Sequence, residues 1–158
     1  MGKEIKTNAM RILEQKKIPF KMNLYECDEF IDGVHIAEQL GQEKERSFKS
    51  LIAVGKSGSH YVFALPVAEE LDLKKAAKAV GEKAVELIAV KDLFLLTGYI
   101  RGGCTAIGLK KQFPAVFDET AVLFDEIIIS GGRIGAQILL NPGDLPKVIP
   151  CKFEDITM

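Results

Sequence analysis

The sequence predicts an α+β domain built on a curved, mostly antiparallel sheet with flanking helices. Three observations carry that prediction. Runs of β-type residues outnumber helical ones. They are separated by glycine-bearing turns of hairpin size, not by the long helical crossovers a doubly wound parallel sheet needs. The 158 residues also hold no linker, repeat or low-complexity stretch, so residues 1–158 read as a single domain. A chain of this length buries roughly two-thirds of its extended surface and needs no disulfide or metal staple.

Taken in order, Thr7 or Asn8 caps a helix reaching Lys17, on which Met10, Leu13 and Lys17 share a face, and Pro19 ends it. Phe20–Tyr25 alternates loosely through Phe20, Met22 and Leu24 and reads as a strand. Asp32–Leu40 opens on a capping residue and closes on Gly41, which fits a short helix. Ser47–Val54 and His60–Leu65 flank Gly55-Lys56-Ser57-Gly58, so they pair as a hairpin. In its first strand Phe48, Ser50, Ile52 and Val54 point one way, and Lys49, Leu51 and Ala53 the other. Asp72–Gly81 is again cap, helix and glycine stop, Ala84–Ile88 fits a strand, and Lys91–Leu96 a short helix. Beyond Gly98, β-type pieces near Ala115–Phe117, Glu126–Ser130 and Ala136–Leu140 alternate with glycine clusters, and Asp144–Val148 reads as a last helical piece.

Apolar residues make up 47% and charged residues 27%, the balance of a globular chain. Lys and Arg number 21 against 22 Asp and Glu, a formal net charge of −1. That excludes nucleic-acid binding through bulk charge and leaves only a local basic patch for it. The densest apolar pieces, Leu93–Leu96, Ile127–Ile129 and Ile138–Leu140, fall far short of a membrane span. The opening residues, MGKEIKTNAM, lack the apolar stretch of a signal peptide, and Lys6 stands where a myristoylation pattern wants Ser or Thr. A cytoplasmic protein with no membrane and no DNA partner is expected. Cys27, Cys104 and Cys151 are odd in number, widely spaced and read as reduced thiols. His35 and His60 have no ligand-spaced neighbours, so no metal site is expected, and no motif calls for a cofactor.

Gly55-Lys56-Ser57 has the tail of a phosphate-binding loop, but Ser50 stands where that motif needs its first glycine, so the segment is a hairpin turn. Two glycine clusters say more: Gly98 to Gly108, with Arg101, Gly102 and Gly103 inside it, and Ser130-Gly131-Gly132-Arg133-Ile134-Gly135. Such clusters make tight turns, or bring backbone N–H groups close to a ligand. Their common build points to a shared cleft. Lys49 is a lone cation inside an apolar strand; it either snorkels to water or holds a charge in a pocket. Asp144 fits a turn or an N-cap, Tyr25 a half-buried strand end, and Lys74, Lys75 and Lys78 a solvated helix face. Cys104 beside Gly103 has no histidine near it in sequence to make it a nucleophile.

These pieces, in this order, resemble the YbaK/EbsC branch of the prolyl-tRNA editing superfamily, the Cys-tRNA(Pro) deacylases. The resemblance is carried by Ile18-Pro19-Phe20 through Tyr25, by Arg46-Ser47-Phe48-Lys49-Ser50-Leu51, and by Pro66-Val67-Ala68 leading into Leu71 to Ala77. It continues through Thr97-Gly98-Tyr99 with Gly102-Gly103, Ile129 to Arg133 with Gly135, and Gly143-Asp144-Leu145, nearly the whole chain. It implies a mixed fold around a six-stranded barrel-like sheet, and release of cysteine from mischarged tRNA(Pro), with Cys-tRNA(Cys) as a further substrate. Prolyl-tRNA synthetase is the implied partner that hands over the tRNA. By motif, Lys49 corresponds to the family's essential lysine, Tyr25 to a pocket tyrosine and Asp144 to a pocket aspartate. Gly98, Tyr99, Gly102, Gly103, Thr105, Ser130, Gly131 and Gly132 correspond to the loops around the substrate. One departure stands out: the family often follows its Gly-Gly pair with a residue and then Ser-Pro, whereas Cys104 is followed here by Thr105-Ala106. Thr105 keeps a hydroxyl, while the missing proline loosens the loop.

The implied chemistry has a physical rationale. Cysteine and proline are close in size, and a pocket separates such substrates only roughly 10–200-fold. A cysteinyl ester carries a thiol with an ordinary pKa near about 8.5, and proline has none. Folding that thiol onto its own ester carbonyl makes the attack intramolecular, with effective molarities on the order of 10⁵ M. Lys49 would then anchor the tRNA 3′ end or add positive charge near the ester, Asp144 would accept the α-ammonium or move a proton, and glycine-loop N–H groups would hold the oxyanion. Hydrolysis of another ester such as Ala-tRNA(Pro) by an activated water, or a non-catalytic module that binds aminoacyl-tRNA ends, are the alternatives.

Overall fold

Local capping rules decide where the helices begin and end. The computed structural model describes residues 6–27 and 29–158; Met1 to Ile5, on which the leader reading falls, and Asp28 lie outside them. Helix α1 (Asn8–Gln15) starts at Thr7, whose hydroxyl accepts from Met10 N, and buries Ala9, Met10 and Leu13. Helix α2 (Gly33–Leu40) is capped by Asp32 and stopped at Gly41. Helix α3 (Leu73–Val80) is capped by Asp72, which accepts from the backbone N–H of Lys74 and Lys75, and ends at Gly81. A 3₁₀ turn at Val90–Asp92 runs into the short α4 (Leu93–Thr97). The predicted last helical piece is a 3₁₀ segment, Pro142–Lys147.

Among the described residues, eight strands form two sheets. Strands β1 (Phe20–Leu24), β6 (Ile127–Ser130) and β7 (Ala136–Leu140) make one, in the order β1-β7-β6, all antiparallel. The other runs β4-β2-β3-β5-β8, from β2 (Phe48–Gly55), β3 (His60–Pro66), β4 (Val85–Leu87), β5 (Ala115–Asp118) and β8 (Cys151–Glu154). The expected β2–β3 hairpin forms, with Lys49 facing Leu65 and Val54 facing His60. Pairings β3–β5 and β5–β8 are parallel. The sheet is thus mostly antiparallel, as expected, but the six-stranded barrel is corrected to two open sheets of three and five strands. The seam between the sheets holds one isolated parallel bridge, Ser47 to Ile128, in place of a ladder that would close them.

Side-chain alternation along β2 and β3 supplies two cores. Phe48, Ile52, Val62 and Ala64 face the larger one, shared with Ile127, Ile129, Ile138 and Leu140 of the other sheet and with α1. Ala53, Phe63 and Leu65 face the opposite way, under the alanines Ala76, Ala77 and Ala79 of α3. The C-terminal tail is tied down by Asp118, only 1% exposed. Its carboxylate accepts from the N–H and hydroxyl of Thr120 and from Ile156 N. Nearby, Lys75 Nζ donates to Asp155 and to the Thr157 carbonyl. Replacing Asp118 strands several buried donors at once. Asp118→Ala is expected to cost about 2–4 kcal/mol, read as a lower urea midpoint at unchanged slope; a loss within 0.5 kcal/mol, the usual range for surface changes, would show that the tail needs no such tie.

Candidate functional site

A cleft of about 470 Å³ opens where the two sheets diverge. Its floor comes from β2, Phe48 to Ile52, and from Ile128, Ile129, Ser130, Ala136 and Gln137 of the smaller sheet. Tyr25, Phe30, Asp32, Arg101, Gly102 and Cys104 are also among the lining residues. The lining is largely apolar, with a few polar groups at fixed places, the usual make-up of a small-molecule site.

Lys49 enters this cleft from β2, and its Nζ donates to the Val67 carbonyl at 3.3 Å. Partial burial lowers its pKa, while the carboxylates of Glu70, Asp32 and Glu69 pull it back up. Tyr25, half-buried, has its phenol pushed up by desolvation. Asp32 caps α2 and accepts from His35 Nδ1 at 2.6 Å, which lowers the carboxyl and raises the imidazole. Cys104 is buried, and burial drives its thiol up to about 12, so it is protonated at neutral pH. Gln137, on β7, ties the smaller sheet to the loop after α2: its Oε1 accepts from Gln42 Nε2 at 2.8 Å and from Asn23 Nδ2 of β1 at 2.9 Å, and its Nε2 donates back to Gln42.

Of the residues singled out in the sequence, Lys49, Tyr25, Gly102 and Ser130 line the cleft. Gly103 does not, but it makes the wall possible: a Cβ there would stand 2.8 Å from Arg133 Cα, so only glycine lets the two glycine clusters touch. Four of the glycine N–H groups expected to face an oxyanion are otherwise engaged. Gly103 N donates to Ile100 O, Gly131 N to Ala136 O, Gly132 N to Ser130 Oγ and Gly98 N to Phe94 O. Tyr99 lies in the core, its hydroxyl donating to Ile107 O, and Thr105 is fully buried; neither is among the lining residues. Asp144 is not among them either, and its carboxylate accepts from Lys147 Nζ at 2.9 Å.

Sequence reasoning passed over Phe30, Asp32, Gln42, Arg101 and Gln137. Asp32 was legible only as a helix cap. Gln137, 7% exposed inside the apolar run Ala136–Leu140, carries the same signal as Lys49, a polar residue in a strand that should be buried.

The family model for the aminoacyl-tRNA editing domain matches residues 34–148. A protein of Enterococcus faecalis (strain ATCC 700802 / V583) named "Putative Cys-tRNA(Pro)/Cys-tRNA(Cys) deacylase EbsC" is 46% identical over 153 residues, 96% of this chain and 93% of that one. Among solved structures, hypothetical protein APE2540 matches with a TM-score of 0.87 at 19% identity, over 96% of this chain and all (100%) of that one, which shows a common fold. A structure titled "a putative trans-editing enzyme for prolyl tRNA synthetase" matches with a TM-score of 0.80 at 25% identity, over 98% and 99% of the two chains. The chain belongs to the aminoacyl-tRNA editing domain family.

Proposed function

We propose that this chain is a cytoplasmic trans-editing deacylase that frees cysteine from Cys-tRNA(Pro), and from Cys-tRNA(Cys) by the same route, with the substrate thiol attacking its own ester. One observation carries the reading: the cation Lys49 stands in a largely apolar cleft, where it can meet the charge that develops on an ester carbonyl. The thiol that lines the cleft, Cys104, is buried, and burial pushes it up to about 12, which argues against it as the nucleophile and supports one brought by the substrate. The name of the Enterococcus faecalis relative, at 46% identity, supports the choice of cysteinyl-tRNA.

The substrate thiol gives its proton to solvent, and the sulfur bonds to the ester carbonyl carbon while the carbonyl electron pair moves onto oxygen. Collapse breaks the bond to the ribose oxygen, which takes a proton and leaves as the terminal hydroxyl of the tRNA. Cysteine departs as a four-membered thiolactone that water opens. Such a ring is strained, so the cleft must hold sulfur over carbon. Lys49 supplies the charge that stabilises the oxyanion, since the glycine N–H groups named above are engaged. Asp32, which lines the cleft where Asp144 does not, is the carboxylate that receives the α-ammonium. For the tRNA body, Lys74, Lys78, Lys110 and Lys111 are exposed, whereas Lys75 is taken up by Asp155. With a net charge of −1 this is a weak, salt-sensitive hold, and delivery by prolyl-tRNA synthetase supplies the rest.

Deacylation of Cys-tRNA(Pro), Ser-tRNA(Pro), Ala-tRNA(Pro) and Pro-tRNA(Pro) by purified protein tests the chemistry. The cysteinyl ester is expected to be cleaved at least about 100-fold faster than the seryl ester, its near-isostere. Equal rates for the alanyl or seryl esters would hand the step to an activated water; no turnover of any ester would leave a binding module.

Lys49→Ala is expected to lose about 100- to 1,000-fold in kcat with the fold intact, as when one oxyanion-stabilising group is removed. A rate within threefold of the wild type would take Lys49 out of the chemistry.

Lys49 also links activity to stability. Its folded pKa lies below the ordinary value, so between the two the unfolded chain binds more protons, and Lys49's contribution to stability rises with pH. Lys49→Met is therefore expected to melt higher than the wild type at pH 7 while being inactive. The gap should shrink as pH climbs toward about 10.4. Calorimetry at pH 7 and pH 10 would contradict this if the variant melted lower at pH 7.

A further inference from the structure

The mouth of the cleft carries an arrangement that the chemical step does not use. Phe30, in the loop before α2, and Arg101, in the loop after α4, both line the cleft, and the Arg101 guanidinium lies over the Phe30 ring at 4.1 Å from its centroid. Gly102 allows this approach, since a Cβ there would stand 3.0 Å from Phe30 Cδ1. The ring remains 40% exposed, and no described carboxylate neutralises the guanidinium. Ile100, next to Arg101, is 52% exposed. A planar cation on a planar ring, half open to solvent at the edge of a site, is the platform on which unpaired bases stack.

We infer that Phe30 and Arg101 form the stacking site for the 3′-terminal nucleobase of the aminoacylated RNA. The inference rests on the deacylase reading, which places the scissile ester in the cleft. The ester is on the ribose of the last nucleotide, so the base on that same ribose lies one sugar ring away from the ester. The cleft, about 470 Å³, is far larger than a cysteinyl group, and this pair lines it while remaining exposed. Stacking is indifferent to sequence, which suits a site that must accept the same terminus on any tRNA. It also fixes the ribose, and through it the direction from which the ester carbonyl meets Lys49. Phe30 and Arg101 are then positioning residues, and they supply affinity at the one part of the RNA that a nearly neutral protein can reach closely.

The test uses uncharged RNA, so it does not depend on turnover. A short oligonucleotide ending in 2-aminopurine reports stacking by loss of fluorescence when titrated with the full chain. Quenching by the wild type is expected, with affinity about 10- to 100-fold weaker in Phe30→Leu, as for a lost base–aromatic stack, and restored in Phe30→Trp. Arg101→Gln, on an exposed loop, is expected to weaken binding in the same assay. An unquenched base with the wild type, or equal quenching by Phe30→Leu, overturns the inference. Failure of the deacylase reading shows separately, as absence of cysteinyl ester turnover in a protein that still quenches the base.

Discussion

Placing a lysine on β2 costs solvation, and the cleft is organised around that cost. The strand pairs with β3 from Phe48 to Val54, with β4 reaching only Ala53 to Gly55, and its two faces point into two different cores. A cation there has few routes to water, which is why burial lowers its pKa. It keeps its proton because one carbonyl, Val67 O, accepts from it and three carboxylates, Glu70, Asp32 and Glu69, surround it at longer range. A leucine would serve the fold better at this position. On the proposed function, the lysine meets something that the fold itself does not contain, namely negative charge arriving with a ligand.

The space for that ligand follows from how the sheets fail to join. Were the bridge between Ser47 and Ile128 extended into a ladder, β2 would lie flush against β6 and close the seam. Instead β2 turns away to pair with β3, and the gap is walled by two loops held together at Gly103, where one backbone sits against another. Side chains larger than hydrogen at that contact would part the loops and widen the gap. Gly103 thus acts on the site through shape, and the N–H groups of Gly98, Gly103, Gly131 and Gly132 serve their own turns.

Much of this was legible from spacing. Helix caps at Thr7, Asp32 and Asp72, the hairpin around Gly55 to Gly58, and the alternation through Lys49 follow local rules that do not depend on the rest of the chain. The parts that escaped are those decided at a distance. Strand β8, Cys151–Glu154, has two apolar residues in four and exists because β5 offers it a parallel edge. Tyr99 and Asp144 sit in motifs of the family, yet their side chains go to Ile107 O and Lys147, contacts no spacing rule foretells. Asp32 could be read as a cap but not as part of the cleft, since that depends on where α2 packs against β2.

The charge balance and the cleft together constrain how such a protein discriminates. Phosphate contacts give affinity without regard to the amino acid attached, and a chain of net charge −1 gains little from them. Weak general binding is an advantage here, because a deacylase that held every charged tRNA tightly would be filled by correctly charged ones. Selection is left to what happens inside the cleft. There, on the proposed mechanism, a buried Cys104 thiol, an amide pair at Gln42 and Gln137, and a largely apolar lining leave the attack to a group that the substrate brings. On that mechanism, an ester that brings its own thiol reacts, and one that does not can leave unchanged. On the proposed mechanism, fidelity comes from the chemistry of the substrate, and the protein's part is to hold it in the geometry where that chemistry proceeds.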